Sequence, residues 1–192
     1  MAAYPSDFEF DLLLRDGEVV QMRPIKPEDL ELEQDFITRV GAQSLYFRFF
    51  KAKRELSPEE LRYFTNVDYD DRMAFIVLDG DEMVAVGRYD VIPGKKSGDG
   101  GRVAEVAFLV QDDQQGRGIG SRLLQHLTVY ARLKGVSEFE ATVLAENHGM
   151  LRLFRNSGYT LHRQLDGGVY SVEFPIEYSL EAREAEWEHE KR

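Results

Sequence analysis

An apolar stretch that runs into three closely spaced glycines, and then into an amphipathic segment, constrains this chain more than any other feature. Residues 102–110, RVAEVAFLV, are nearly all apolar, as in a central strand buried on both faces. Glycines follow at Gly116, Gly118 and Gly120, and apolar residues recur at helical spacing over 119–131. The sequence therefore predicts a strand, a glycine-rich turn and a helix in succession.

A helix that begins directly after such a turn can bind an anion. Its first N–H groups have no partner within the helix, and the helix dipole adds partial positive charge at the same end. Glycine lets a phosphate group approach the backbone closely, and Arg117 and Arg122 add positive charge nearby. We therefore predict a phosphate-binding loop; the alternative is a helix start that uses small residues for packing.

The spacing of the glycines separates three kinds of phosphate site. A Walker A loop requires Gly-Lys-Ser/Thr, which the segment lacks. The Gly-x-Gly-x-x-Gly pattern of dinucleotide-binding folds is not matched, because the third glycine comes one residue early. Residues 115–120, QGRGIG, fit Gln/Arg-x-x-Gly-x-Gly/Ala instead. That pattern resembles the coenzyme A pyrophosphate loop of the GNAT N-acetyltransferase superfamily.

Longer segments carry the same resemblance. Residues 102–124 resemble the whole first core motif of the GNAT superfamily, and residues 139–159, FEATVLAENHGMLRLFRNSGY, resemble the second. Upstream, Arg-Phe-Phe at 48–50 and Asp-Tyr-Asp at 68–70 are similar to segments in the GNAT domain of bacterial Pat-type protein lysine acetyltransferases. The resemblance implies an acyl-CoA N-acyltransferase.

The order of the predicted elements indicates an α+β fold rather than regular βαβ alternation. The resemblance implies the GNAT fold over residues 1–178, with a mixed central sheet of about six or seven strands flanked by helices. Residues 179–192 form a charged segment that predicts a helical tail, either solvated or in contact with a second copy in a homodimer. Residues 93–101, PGKKSGDGG, predict an exposed, flexible loop.

Glu105 is the candidate catalytic residue. It stands alone among apolar residues, so we expect its carboxylate to be buried. A buried carboxylate is costly unless it has an interaction partner or a functional role. A lysine amine, with a pKa of ~10.4, must lose a proton before it can attack a thioester. The resemblance implies a glutamate base at this place in AEVAF. The alternative is a structural glutamate paired with an arginine.

The resemblance also implies which residues bind acetyl-CoA, the cosubstrate. Backbone groups of three residues would hold the pantetheine arm: Phe108, Leu109 and Val110. Loop amides would hold the pyrophosphate, from Gln115, Gly116, Arg117, Gly118, Ile119, Gly120 and Ser121. Asn147 would contact the pantetheine arm or cap the next helix. At the position of Phe154, many GNAT enzymes have a tyrosine that can protonate the leaving thiolate. Phe154 cannot donate a proton and would pack against the CoA arm or in the core, so no general acid is assigned.

Composition excludes several other functions. The formal net charge of −11 argues against a nucleic-acid partner and allows a cationic substrate, such as a lysine or a polyamine. The absence of cysteine excludes disulfides and a cysteine nucleophile. No zinc spacing of histidines or calcium-loop spacing of aspartates is present, so no metal is expected. The apolar runs are too short for a membrane span and no signal peptide is evident, which predicts a cytoplasmic protein.

From the resemblance we therefore expect transfer of an acetyl group from acetyl-CoA to a primary amine, preferably a protein lysine, within a ternary complex. A small-molecule amine or polyamine acetyltransferase would use the same chemistry. A non-catalytic acyl-CoA-binding regulatory module is the alternative from a different class.

Overall fold

The structure is a computed structural model that describes residues 3–176. Within that range there are eight strands and five α-helices, besides three short 3-10 turns. The elements are β1 Phe10–Leu13, β2 Val19–Pro24, α1 Leu30–Arg39, α2 Ala42–Phe49, α3 Pro58–Thr65, β3 Arg72–Asp79, β4 Glu82–Lys96, β5 Arg102–Val110, α4 Ile119–Leu133, β6 Val136–Leu144, α5 His148–Arg155, β7 His162–Asp166 and β8 Val169–Pro175.

The strands form one mixed sheet in the order β1-β2-β3-β4-β5-β6-β8-β7. Its outer pairs are antiparallel, namely β1 with β2, β2 with β3, β6 with β8, and β7 with β8. The pair β5 and β6 is parallel, with a register from Arg102↔Val136 to Glu105↔Glu140. The α+β class and the mixed sheet are confirmed, with slightly more strands than predicted.

The chain divides into two compact units. Of the described residues, the first contains 3–89 together with Ala107–Leu123, and the second contains Asp90–Val106 together with 124–176. In the first unit, β3 is buried on both faces, since five consecutive side chains have no exposed surface: Met73, Ala74, Phe75, Ile76 and Val77. Such a continuous apolar run is what a strand in the middle of a sheet requires.

In the second unit, β6 and β8 alternate between buried apolar and more exposed polar residues. Phe139 of β6 and Phe174 of β8 are fully buried, with their rings 6.0 Å apart. Phe154 of α5 packs on Phe174 at 5.4 Å, so α5 covers this face. The intervening residues, including Glu140 and Glu173, lie on the opposite face. One face of this part of the sheet is therefore apolar, and the other is polar and more accessible.

Two expectations about the chain path require correction. Residues 93–101 are not a continuous loop, because β4 extends to Lys96 and a tight turn follows, in which Ser97 N donates to Gly101 O at 3.2 Å. Hydrogen bonds from Ser97 and from the Gly101 N–H lower the pKa of the Asp99 carboxyl to about 2. The sequence analysis also missed β1, which pairs with β2. The predicted tail, 179–192, lies outside the described residues.

Candidate functional site

The predicted glycine loop forms between β5 and α4. A single 3-10 turn, Asp112–Gln114, leaves β5, and the chain then passes through Gly116 and Gly118 at φ values of +81° and +94°. Residues with a Cβ rarely adopt this left-handed conformation, so glycine is required at both places. Helix α4 begins at Ile119, whose side chain is buried and anchors the helix start. The N–H groups of the first turn are left without partners within α4.

The loop has room for a ligand. A Cβ placed on Gly116 would meet no heavy atom within 4 Å among the described residues, so open space lies above the backbone there. Gly116 itself is exposed, and Gly120 and Ser121 in the first turn of α4 are half-buried. An exposed glycine turn at the N-terminus of a long helix is suited to an anion such as a phosphate.

Side chains fasten the exit of β5 to helix α2. The Gln115 side chain donates to Val110 O at 3.1 Å and to Ser44 Oγ at 3.2 Å. The Asp112 carboxylate accepts from Gly41 N at 2.6 Å and from Ser44 Oγ at 2.8 Å. The side chain of Gln115 therefore braces the loop, which leaves its backbone N–H as its candidate ligand contact.

Arg117 has a different environment from the one that the sequence suggested. Its guanidinium donates to the carboxylates of Asp16 and Glu18, in the β1–β2 turn, and to Gln114 Oε1. The hydrogen bond with Asp16 raises the pKa of Arg117 and lowers that of Asp16. Two carboxylates thus offset the charge that was expected to face a phosphate, and the side chain of Arg117 holds the β1–β2 turn against the loop.

The end of β5 offers its backbone rather than its side chains. Phe108 and Leu109 are buried, with 4% and 6% of their surface exposed, and Val110 is half-buried. A ligand lying along this part of β5 would therefore contact main-chain groups. This arrangement is compatible with the backbone role predicted for these three residues.

Glu105 is exposed, and the expected burial of its carboxylate is wrong. Its neighbours Ala104 and Val106 are buried, because they point to the covered face of β5. Glu105 points to the other face, where strand alternation leaves it accessible to a reactant. The sequence pattern suggested a strand covered on both faces, but the structure leaves this position open.

Glu105 lies in a row of charged residues that crosses the second unit. The strand registers place Glu105 beside Glu140, Glu140 beside Glu173, and Glu173 beside His162. The amine of Lys95 contacts Glu140 and lies 3.5 Å from Glu173. The hydrogen bond to Glu140 raises the pKa of Lys95. The face that bears Glu105 therefore already holds a protonated lysine amine between two carboxylates.

The second predicted motif forms a helix cap and part of the core. Asn147 precedes α5, and its Oδ1 accepts from Met150 N at 3.0 Å, which is the capping role given as its alternative. Phe154 is 1% exposed and packs on Phe174. The structure therefore places Phe154 in the core, which is the second of the two roles considered for it.

A buried ion pair in the first unit was not recognised in the sequence. Glu33 of α1 and Arg88 of β4 approach to 3.1 Å, and both side chains are almost fully buried. The Arg88 guanidinium also lies 4.3 Å from the centre of the Phe64 ring. Burial raises the pKa of Glu33, whereas Arg88 opposes that shift. Glu33 lies three and four residues before the buried Phe36 and Ile37. This helical spacing could have indicated that Glu33 is on the buried face of α1 and needs a partner there.

Over residues 3–176, no three or more histidine, aspartate and glutamate side chains are grouped so that they could hold a metal ion. Within the same range, none of the helices combines the length and the apolar composition that crossing a membrane requires.

Comparisons with known proteins agree with this arrangement. Residues 40–159 match the family model described as Acetyltransferase (GNAT) family. Acetyltransferase Pat of Mycolicibacterium smegmatis is 34% identical over 165 residues, which are 85% of this chain and 47% of that protein. Acetyltransferase PA5475 of Pseudomonas aeruginosa is 32% identical over 163 residues, covering 83% of this chain and 84% of that protein. The chain thus spans about half the length of Pat and most of PA5475.

A solved structure supports the fold directly. The crystal structure of the GNAT domain of S. lividans PAT shares 39% identity with this chain and superposes with a TM-score of 0.81. The match covers 90% of this chain and 99% of that domain, which confirms the predicted GNAT fold. The family model and these relatives give one answer: the chain belongs to the GNAT family of acetyltransferases.

Proposed function

We propose that this acyl-CoA N-acyltransferase moves the acetyl group of acetyl-CoA to the side-chain amine of lysine residues in proteins. Family membership supports the reaction class and the use of acetyl-CoA. One observation carries the proposal: a single strand, β5, bears an exposed carboxylate at Glu105 and leads into a glycine-rich helix start.

The loop would hold the pyrophosphate. Backbone N–H groups from Gln115 to Ser121 are near the N-terminus of α4, where the helix dipole favours an anion. The open space above Gly116 allows the phosphates to approach the main chain. The backbone of Phe108, Leu109 and Val110 would hydrogen-bond to the pantetheine amides, because their side chains point elsewhere or are buried.

Glu105 would act as the general base. Acetyl-CoA supplies an activated thioester carbonyl, but a lysine amine is almost wholly protonated near neutral pH. The exposed Glu105 carboxylate can take that proton directly or through one water molecule. Lys95 offsets one of the charges on the neighbouring Glu140 and Glu173, so together with Glu105 this face keeps a net negative charge that attracts a cationic side chain.

The neutral amine would then attack the thioester carbonyl directly. A C–N bond forms, and a backbone N–H of β5 stabilises the oxyanion that develops. The C–S bond breaks, and the proton that the nitrogen loses as it becomes an amide passes to water or to the departing sulfur, which needs no strong acid because a thiol has a pKa of roughly 8.5. Because the sequence has no cysteine, no acetyl-cysteine intermediate is available. Direct transfer in a ternary complex follows.

Three features support a protein lysine as the acceptor. The formal net charge of −11 favours cationic partners. The amine of the chain's own Lys95 is held by carboxylates on the face that carries Glu105, and the same chemistry suits the amine of an acceptor lysine. The sequence also resembles the GNAT domain of Pat-type protein lysine acetyltransferases, and a protein named Pat is among its relatives.

The acceptor is tested by incubating the protein with isotope-labelled acetyl-CoA and either bacterial lysate proteins or a panel of small amines and polyamines. We expect label in protein lysines, mapped by mass spectrometry, at a rate that depends on enzyme concentration. Label confined to a small amine would overturn the protein-lysine assignment. Binding of acetyl-CoA without transfer to any acceptor would favour a non-catalytic acyl-CoA-binding module.

A further inference from the structure

The β1–β2 turn lies directly against the glycine loop of the first unit. Arg15 N donates to Arg117 O at 3.5 Å, and the Arg117 side chain holds Asp16 and Glu18 of the same turn. A Cβ placed on Gly118 would lie 3.3 Å from Arg15 Nε and 3.6 Å from Arg15 Cγ. The side chain of Arg15 therefore passes over the loop backbone at Gly118.

Arg15 and Arg117, which both lie beside the loop, differ in their charge environment. Arg117 donates to two carboxylates and one amide oxygen, and only 15% of its side chain is exposed. Arg15 is exposed, and residues 3–176 provide no ion pair or hydrogen bond for its guanidinium. Arg15 thus brings to the loop a positive charge that the described residues do not compensate, whereas the arginine within the glycine motif is compensated.

We propose that Arg15 binds a phosphate group of acetyl-CoA, and that Arg117 is a positioning residue that holds the β1–β2 turn over the loop. This inference rests on the proposed use of acetyl-CoA at this loop. A guanidinium suits the task, because its planar set of N–H donors matches the oxygens of a phosphate and stays charged at any working pH.

CoA has phosphate groups in two places that Arg15 could bind, the pyrophosphate and the 3′-phosphate. Binding of CoA and of 3′-dephospho-CoA to Arg15→Gln, measured by calorimetry, distinguishes them. We expect the variant to bind CoA about tenfold more weakly than the wild type, as for one lost charged hydrogen bond. Equal weakening for both ligands assigns Arg15 to the pyrophosphate, and weakening for CoA alone assigns it to the 3′-phosphate.

Arg54→Gln is the matched control, because Arg54 is also an exposed arginine but lies in the α2–α3 connection. It should bind CoA as the wild type does. Arg15→Gln binding CoA with wild-type affinity would overturn the proposal. Binding is measured apart from transfer, so a wild type that binds CoA but acetylates nothing refutes the proposed function and leaves this inference standing.

The positioning role of Arg117 is tested with the double variant Asp16→Asn, Glu18→Gln, which removes its carboxylate partners and leaves its charge. If Arg117 positions the turn, this variant binds CoA more weakly, and adding Arg15→Gln weakens binding little further. If Arg117 contacts phosphate directly, releasing it from the carboxylates strengthens binding, which would contradict the role proposed here. Circular dichroism of each variant verifies folding.

Discussion

At the scale of single residues, Glu33 and Arg88 of the first unit form an ion pair that is almost fully buried. Their side chains are 2% and 6% exposed, so two charges are held away from water. Such a buried pair stabilises the fold little more than apolar residues of similar size would. Removing one partner, however, leaves the other charge buried without compensation. Arg88 also donates to Phe64 O at 3.2 Å, which ties α3 to β4 through the same guanidinium.

Arg88→Met should therefore lower the free energy of unfolding by about 3–5 kcal/mol at pH 7. The measurement is urea denaturation followed by circular dichroism. Arg62→Met is the matched control, since Arg62 pairs with Glu59 at 3.5 Å but both are largely exposed. The control should change stability by less than about 1 kcal/mol. Equal losses for both variants would show that burial of the pair does not matter.

The raised pKa of the Glu33 carboxyl also predicts that the stability of the protein depends on pH. Burial raises its pKa in the folded protein above the ordinary value of 4.5. The folded state then holds the proton more tightly than the unfolded state, so stability from this group is present below pH 4.5 and declines as pH rises through the folded pKa. Relative to Glu33→Gln, the wild type should lose stability as pH increases from 4.5. A difference that stays constant, or changes in the opposite direction, contradicts the raised pKa.

At the scale of elements, the start of α2 is fastened to the 3-10 turn that leads into the glycine loop. The Asp112 carboxylate caps Gly41 N, and Ser44 strengthens the link. A Cβ on Gly41 would lie 2.9 Å from Asp112 Oδ2, so the Asp112 carboxylate would have to shift from its position against the start of α2. The loop geometry thus depends on a helix that lies about seventy residues earlier in the chain.

Gly41→Ala should lower the free energy of unfolding by about 1–3 kcal/mol, because the added methyl group overpacks this contact. It should also weaken CoA binding through the displaced turn. Gly98→Ala is the control: a Cβ there meets nothing within 4 Å. Thermal unfolding and CoA titration measure both effects. Unchanged stability in Gly41→Ala would mean that the contact adjusts without cost.

Local patterns predicted most elements correctly, because helix caps, turns and periodicity are written in neighbouring residues. Ser57, for example, directly precedes α3 and caps it, accepting from Glu60 N at 3.2 Å. Strand β1 was missed although Asp16–Gly17 is a hairpin signal and Leu12 and Leu14 alternate with exposed residues. The glycine loop was predicted from the spacing of its glycines, from the strand and helix patterns on either side of it, and from the resemblance to the GNAT motif.

Features that depend on distant residues could not be predicted in this way. The carboxylate partners of Arg117 lie about a hundred residues earlier in the chain, so nothing near the motif indicates that its charge is compensated. The exposure of Glu105 depends on what covers one face of β5, which an apolar sequence pattern does not specify. Nothing in the sequence indicates that Arg15 lies near the loop, because only the fold places its turn beside Gly118.

For the whole molecule, the formal net charge of −11 should influence the choice of acceptor. We expect kcat/KM for a peptide with basic residues around its lysine to fall as ionic strength rises from about 0.05 M to 0.5 M, because salt screens attraction between exposed charges. The same peptide with glutamines at the flanking basic positions is the control and should respond much less. Equal salt responses would remove the electrostatic argument for a cationic protein substrate.

We propose that β5 carries the catalytic base, Glu105. Glu105→Gln is measured for acetyl-CoA binding by calorimetry and for single-turnover acetyl transfer to a lysine peptide. We expect a dissociation constant within about twofold of the wild type and transfer slower by about 100-fold or more. Glu31→Gln, at an exposed position on α1, should retain both. Transfer by Glu105→Gln at the wild-type rate would contradict the account.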